Sequence, residues 1–591
     1  MVQQSGTTLR TASSDWPSAN RAHGMLVAFG EFLSQYGLVE RMMQVPIAQK
    51  TCRFRPQTKL VELLAGIMGG IEHLQDLNDS ARPVAKDEVV ARAWGQAGFA
   101  HYSGVSRTLD SCDEQSVSAV ERAIDEFSQP FIATVVHDLL GRGVAIIYDF
   151  DLTGQAVSST STTYPEAAFG WMNDSVKLGY QLARVCLSAA QGDRLWLAGF
   201  HHPGDTVSAK CLKELVGAAE EQTHVRPRRR TELVQQRIEA QQESVARTRR
   251  LLIQQEVKLD RLRKTRETMF GKIDHTEQIQ KSPIPRQERA ILKKQLQSWS
   301  KRLPHLEAQI VTAEHSIGTH QHQLLEQETS LADLLSWQAN LEGDNRTNPD
   351  PPPYVEARMD AGFASGENLT WLLEMGYCPN TKAPNGQTTT AMCAHLPKGR
   401  YWVKVGENAE MLGWGDYQLH GCPYPLTAAI ERFKVGRRYK YATLIHYRDD
   451  GLFPPLPAWF HHYNQRQTIE AGNKEMKGTF YVQHLMSHSL SGIRLQVLFT
   501  GLAANVVRWC VPWLKDCAAK PTPKLTRTLN SPKHLVHVAA NSAALVQQTS
   551  CGTALQFAPN SSLPGVIMYL KGVPAFQLAL GFNQPYKIES Q

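Results

Sequence analysis

Residues 463–477, YNQRQTIEAGNKEMK, carry Tyr463, Arg466, Glu470 and Lys477 at offsets 0, 3, 7 and 14. On one helix these offsets fall along a single stripe, roughly 21 Å long at about 1.5 Å per residue. One carboxylate flanked by two cations and a phenol offers a metal ligand and several contacts to a polyanion. Two other stretches bring carboxylates to the ends of apolar runs. Residues 144–151, VAIIYDFD, read as a β-strand closed by Thr153-Gly154. Alternation puts Asp149 and Asp151 on one face, about 7 Å apart, and a buried strand rarely carries two charges there without partners. Residues 354–363, YVEARMDAGF, place Asp360 after a second short strand, where Gly362 lets the backbone turn tightly. A helix is expected from Gly366 to a stop at Gly376.

The spacing 463–477 is that of the Y-x2-R-x3-E-x6-K signature, and here the chain resembles the bacterial cut-and-paste DDE transposases of the Y-R-E-K group found in insertion sequences. The resemblance implies that Glu470 is the third catalytic carboxylate and that two aspartates precede it. Asp151-Leu152-Thr153 fits the family's first Asp, which ends a core strand and is followed by x-Thr, with Asp149 a neighbouring metal candidate. Arg358-Met359-Asp360-Ala361-Gly362-Phe363 is similar to its R-x-D-x-G-F block, making Asp360 the second. The chemistry explains the demand for three carboxylates. In-line phosphodiester cleavage must neutralise charge on attacking and leaving oxygens, which two Mg²⁺ ions about 4 Å apart accomplish when held by oxygen ligands. The resemblance further implies Mn²⁺ as a substitute, a ribonuclease-H-like fold, and phosphate contacts from Tyr463, Arg466 and Lys477. Its substrates would be double-stranded DNA, as terminal inverted repeats and target. The ends would be cut through a hairpin intermediate and joined by a homodimer in a synaptic complex. No phosphate-binding G-x-x-x-x-G-K-[ST] loop, H-E-x-x-H or G-x-S-x-G competes. His201-His202-Pro203-Gly204-Asp205 reads as a turn.

The whole is expected to be an α+β multidomain chain. At 591 residues it exceeds one core, and roughly three to five domains are expected. Residues 1–140 read as a helical DNA-binding region. Within it, 89–109 suggest a helix-turn-helix turning near Gly98, with Ser103, Ser106, Arg107 and Thr108 opening the recognition helix and Arg53, Arg55 and Lys59 adding basic surface. Residues 141–225, 346–375 and 456–515 form the three parts of the catalytic core, with further strands near 180–185 and 193–200. Residues 226–345 are a coiled-coil hairpin. Leu296, Leu303, Ile310, Ile317, Leu324 and Leu331 recur every seven residues, with Leu292, Trp299, Leu306, Ala313 and Leu334 as companions and Ile238, Val245, Leu252 and Leu259 upstream. Ser282-Pro283-Ile284-Pro285 joins two expected helices of about 40 and 55 residues, on the order of 60 Å long, and Pro304 is placed to kink the second. Residues 376–455 read as a β-rich insertion, with strands at 400–405, 410–419 and 438–446. Trp402, Trp414 and Trp459 in and beside it are candidates for base stacking. Residues 516–591 read as a small β-rich tail.

Composition bounds the rest. The net charge of +7 and pI near 8.8 permit a nucleic-acid partner. The basic balance is local: residues 226–302 hold 21 Lys/Arg against 9 Asp/Glu. Ten cysteines form no C-x2-C pair, so neither a zinc ribbon nor a disulfide framework is suggested and reduced, cytoplasmic thiols are expected; the family resemblance implies a nucleoid-associated protein. The N-terminus lacks an apolar signal core, and the apolar run 495–514 is interrupted by Asn505 and Arg508, as in a buried helix. A soluble chain without a membrane partner is expected. Two other readings keep part of these features: a ribonuclease-H-like nuclease without joining activity, and a catalytically silent, transposon-derived DNA-binding protein. A coiled-coil scaffold accounts for 226–345 alone.

Overall fold

The computed structural model describes residues 20–51, 53–172, 174–189, 194–352, 354–384, 386–396, 399, 401–447, 455–549 and 552–573. It divides into two compact units. The larger opens with β1 (Asn20–Arg21) and the helices α1 (Gly24–Gln35), α2 (Leu38–Met42), α3 (Pro56–Met68), α4 (Asp76–Asp79), α5 (Glu88–Ala93), α6 (Tyr102–Ser111) and α7 (Glu114–Gly141). Asp87 and Asp113 cap α5 and α7 by accepting first-turn amides, which supplies the orphan donors of a helix start. The expected helix-turn-helix is not formed. Residues 94–101 separate α5 from α6, far longer than the roughly three or four residues of that motif. The left-handed turn residue is Gly95, at φ +68°, not Gly98, which packs against Phe54. Thr108 is fully buried, its hydroxyl spent on Gln49 and the Gly104 carbonyl.

The central sheet follows: β2 (Ile146–Ala156), β3 (Ala168–Met172), β4 (Ser175–Ser188), β5 (Arg194–Pro203), and then α8 (Ser208–Thr223). Of residues 201–205, read as a turn, His201, His202 and Pro203 end β5 and Gly204-Asp205 form the turn that follows. The second unit, residues 228–349 with 373–376, holds α9 (Thr231–Gln280) and α10 (Arg286–Thr347). The chain returns to the sheet with β6 (Val355–Arg358), α11 (Gly366–Glu374) and β7 (Cys378–Lys382). It continues through α12 (Gly386–Ala394), β8 (Val403–Lys404), β9 (Ala409–Tyr417), β10 (Leu426–Val435) and β11 (Arg438–His446). Then come α13 (Leu456–Asn464), α14 (Gln467–Gly478), α15 (Leu490–Cys517), α16 (Pro523–Leu529), α17 (Pro532–His534), β12 (Ala544–Thr549), β13 (Gly552–Phe557) and β14 (Ile567–Leu570).

Among the described residues the large sheet has ten strands. Its middle runs β5-β4-β2-β6-β7, with β4 antiparallel to both β5 and β2, and β6 and β7 parallel to β2. The 376–455 insertion does not stand apart: β11 pairs antiparallel with β7 and extends the sheet through β10, β9 and β8. Sequence reading missed β10 and α12 there. The C-terminal strands join β1 in a four-stranded sheet, and Leu555 and Phe557 share one apolar core with Phe29, Phe32 and α15. α15 is long and apolar enough to cross a membrane, yet 78% of its most apolar window is buried in the protein, where it is a core helix.

In the second unit the helices run antiparallel, with cross-links Gln338 to Gln235, Gln241 to the Gln327 carbonyl and Arg263 to Glu314. Leu306, Ile310 and Ala313 bury with Leu259, so the heptad stripe faces inward. At 50 and 62 residues the arms are longer than expected, about 75 and 93 Å at ~1.5 Å per residue, and Pro304 lies inside an unbroken α10. The polar ends that lacked heptad residues stay helical. Counting both arms, 226–347 hold 22 Lys/Arg and 16 Asp/Glu, because the returning arm is acidic. The positive excess concentrates toward the turn, where 258–302 hold 13 against 5.

Candidate active site

Asp149 on β2 stands in register with Arg358 on the adjacent parallel strand β6. Two residues further along each chain lie Asp151 and Asp360, so both emerge on neighbouring strands about 4.8 Å apart where β6 ends. Beyond Arg358 the chain turns, and Asp360 caps a short 3-10 turn, Ala361–Phe363, by accepting the Gly362 amide at 2.9 Å. One Arg466 nitrogen lies 3.4 Å from Asp151 Oδ1 and 3.6 Å from Asp360 Oδ2. The two oxygens are therefore no more than about 7 Å apart, within the compass of a two-metal site.

Three sheet arginines dock the signature segment above this pair. Arg358 donates to the His462 carbonyl (2.8 Å), Arg194 to the Gln465 carbonyl (2.9 Å) and Arg184 to the Ile469 carbonyl (3.0 Å). The first two satisfy carbonyls at the end of α13, where the helix breaks, and the third adds a bond to a carbonyl in the first turn of α14. The single stripe expected from 463 to 477 is thus two helices, with Arg466 at the joint. Tyr463 falls on α13, buried, its hydroxyl donating to the Met359 carbonyl and pushed up to about 12 by burial. It is not placed to grip a phosphate.

From Arg466 onward the stripe holds. Asn473 donates to Asp151 Oδ2 at 2.6 Å, and Asp151 is the main charge opposing the burial that lowers the Lys477 ammonium. Glu470 is four residues after Arg466 and three before Asn473, hence on the face turned to Asp151, with its own carboxylate exposed. Among the described residues the three carboxylates are not gathered within 4.8 Å as a ready ligand group; Arg466 bridges Asp151 and Asp360, and Glu470 joins them only by its place on the α14 face. Burial raises Asp360, Arg466 opposes this, and the charge of Asp151 adds to it.

Asp149 is corrected. Its oxygens accept from Arg358 at 2.6 and 2.9 Å and from Arg194 at 2.8 Å, and it is fully buried. A carboxylate so committed is a structural ion-pair member, not a metal ligand. Ser106 and Arg107 lie on α6, and Trp414 packs with Trp402 and Tyr417 against Met392, Ala428 and Ile430 inside the insertion. Trp459 is core, donating to Asn380. Sequence reading missed Arg184, Arg194 and Asn473. Asn473 was findable, three residues after Glu470 on the same stripe; the arginines depend on strand pairing. It also missed the buried Glu356, held by His462 at 2.8 Å and Asn380 at 2.9 Å.

The oxygen donors Asp151, Asp360 and Glu470 fit a hard divalent cation, since two of them already face one positive group from distances longer than a tight ion pair of about 2.8 Å. Three guanidinium nitrogens here, Arg184 Nε, Arg194 Nη1 and Arg466 Nε, are buried without a hydrogen-bond partner. Buried donors of this kind suit an added anion. No family model and no curated protein matches this chain.

Replacing Asp149 with Ala strands two buried guanidinium groups and is expected to cost about 3–5 kcal/mol. Asp360→Asn, which keeps the turn's shape at a part-exposed site, should stay within about 1 kcal/mol. Urea unfolding midpoints check the contrast; equal losses would contradict the structural role assigned to Asp149. A second expectation concerns acid. Burial alone would raise Glu356, but the His462 hydrogen bond and the charges of His462 and His446 hold it down at about 2. A depressed carboxylate stabilises the fold above its ordinary value near 4.5 and loses that contribution as pH falls toward about 2. Glu356→Gln should therefore flatten the acid limb of stability against pH, by on the order of 2–3 kcal/mol.

Proposed function

We propose that this chain is a DNA transposase of the DDE class, in which Asp151, Asp360 and Glu470 serve cleavage and joining of DNA ends. The observation that carries this reading is the shared register of Asp149-x-Asp151 and Arg358-x-Asp360, with Arg466 bridging the outer aspartates and Glu470 on the facing stripe of α14. The strand order β5-β4-β2-β6-β7, three antiparallel and then two parallel to β2, supports a ribonuclease-H-like core. The buried heptad stripe of α9 and α10 supports a coiled coil inserted between α8 and β6.

Asp151, Asp360 and Glu470 would hold Mg²⁺, or Mn²⁺ in its place. When bound, the metal supplies charge neutralisation for in-line attack on the phosphodiester and for the leaving oxygen. The remaining roles belong to the chain itself. Asn473 fixes the orientation of Asp151. Arg466 and Lys477 present positive donors to the phosphates flanking the scissile bond, while the buried Arg184 holds α14 in place. Arg466, loosely shared between two carboxylates, is free to exchange them for phosphate. The partners are duplex DNA, as terminal repeats and target, and a second copy of the chain. The basic turn end of the hairpin suits a DNA backbone or the second subunit.

The test uses a labelled duplex bearing the repeats that flank the gene. With Mg²⁺ the full chain should nick it to a 3′-hydroxyl and join that end to target DNA. Ala at Asp151, Asp360 or Glu470 should lower both steps by about 10³-fold or more, with end binding kept within about twofold. In the same titrations Arg466→Ala and Lys477→Ala should each reduce the salt dependence of binding by about one charge. Nicking without joining would replace this reading with a nuclease; binding without either would replace it with a silent DNA-binding protein. The hairpin gives a separate expectation. Replacing 230–342 with a short Gly/Ser linker should leave single-end nicking but abolish the two-end complex on a native gel. Unimpaired pairing would reduce the hairpin to a decoration.

A further inference from the structure

Away from the carboxylate centre, Glu72, His73 and His484 each turn a donor atom toward a common point, all within 4.8 Å of one another, the one such group among the described residues. Glu72 and His73 lie in the loop after α3, and His484 in the segment between α14 and α15. We propose that these three side chains bind a transition-metal dication of the zinc class and staple the two segments together.

The geometry supports a metal better than an ion pair. Glu72 Oε1 and His484 Nδ1 are 3.2 Å apart, close to the roughly 3.3 Å edge between ligands of a tetrahedral zinc at ~2.0–2.1 Å bond lengths. Yet Nδ1 is buried and has no hydrogen-bond partner, because the approach lacks hydrogen-bond geometry. The His73 and His484 rings stack with centroids 5.1 Å apart, which keeps the two imidazoles adjacent. Two nitrogens and one carboxylate oxygen are the His2Glu donor set, with a fourth position left to water. Mg²⁺, which prefers oxygen ligands in a strict octahedron, is a poor match.

The surroundings hold the ligands in place, as outer partners of metal sites do. Asp76 Oδ2 accepts the amides of both Glu72 (3.0 Å) and His73 (2.7 Å). Gln496 of α15 donates to the His484 carbonyl (2.8 Å) and accepts from the Met486 amide (2.9 Å). Gln483 lies 3.4 Å from His484 Nε2; with its amide flipped, its oxygen accepts from Nε2–H and leaves the Nδ1 lone pair for the metal. Gly70, at φ +73°, admits no side chain, since a Cβ there would meet the His537 ring at 2.7 Å. Tyr481, at φ +50°, sets its ring between His484 and His537. The metal would thus fix the segment that leaves α14, the helix carrying Glu470.

The experiment needs no DNA, so its outcome is separable from that of the proposed function. The chelator-stripped full chain, in excess Mg²⁺ to occupy oxygen sites, is titrated with Zn²⁺ by calorimetry and with Co²⁺ by visible absorption. One Zn²⁺ per chain is expected, at micromolar affinity or tighter, with Co²⁺ giving the ligand-field bands of a low-coordinate nitrogen and oxygen site. His73→Ala, at an exposed position that packing does not need, and Glu72→Gln should each weaken binding by about tenfold or more. His484→Ala should weaken it further, with circular dichroism checking the fold. An absence of Zn²⁺ binding, or binding that His73→Ala and Glu72→Gln leave unchanged, would show only a histidine–glutamate ion pair beside a stacked imidazole and overturn the proposal.

Discussion

The ion pair between Asp149 and Arg358 is the constraint on which the site depends. Both groups are fully buried, and a buried charge is tolerated only when paired and hydrogen-bonded. Because the partners sit on neighbouring parallel strands, satisfying the pair fixes the register of β2 against β6. A slip of one residue would turn Asp151 to the opposite face and leave Asp149 unpaired. The D-x-D of one strand and the R-x-D of the next therefore act together, the inner residues locking register and the outer ones left side by side. Arg194 completes the pair from β5 and, with Arg358, reaches on to the carbonyls that end α13.

That arrangement decides the electrostatics above it. Asp151 is nearly surrounded by positive or donating groups: Arg184 opposite it on β4, Arg466, Asn473 and, further off, Lys477. Asp360 has less company and is raised by burial, with Arg466 and the backbone amides of Gly362 and Phe363 pulling it back and Asp151 adding to the rise. The carboxylate needing a cation most is thus the one placed at the strand end, where the chain opens to solvent. Of the buried guanidinium nitrogens without a hydrogen-bond partner, Arg466 Nε belongs to the side chain that lies beside Asp360. Arg466 therefore stands between the well-partnered Asp151 and the more weakly partnered Asp360.

Much of this was legible in the sequence where the determining signal was local. Alternation marked VAIIYDFD as a strand with two aspartates on one face, and the heptad stripe of the hairpin carries its own partner within the same segment. What was not legible depends on distant chain. The break at Arg466 has no proline or adjacent glycine to announce it; it follows from Arg358 and Arg194 claiming the carbonyls of His462 and Gln465. The role of Asp149 required knowing that Arg358 stands beside it. The helix-turn-helix failed because the spacing of small and basic residues says nothing about a connection stretched over 94–101. β10 was missed because its edges are supplied by β9 and β11, and the tail looked independent because its core is shared with helices some 500 residues earlier.

The burial of Tyr463 changes what the first position of the signature does. Its ring packs with Trp459 against Val405, Ala409, Met411, Ala429 and Leu444, all from the insertion strands and the turn between them. Lys382, at the end of β7, lies over the ring at 5.6 Å, and the hydroxyl reaches the carbonyl of Met359, one residue before Asp360. α13 is therefore wedged, with its apolar face filled by the insertion and its terminal carbonyls held by the core arginines. The joint at Arg466 inherits its position from both. A tyrosine suits that place because it combines a large apolar ring with one polar tip that can reach a backbone acceptor. In this chain Tyr463 sets where Arg466 and Glu470 stand, and the insertion that extends the sheet is part of the same support.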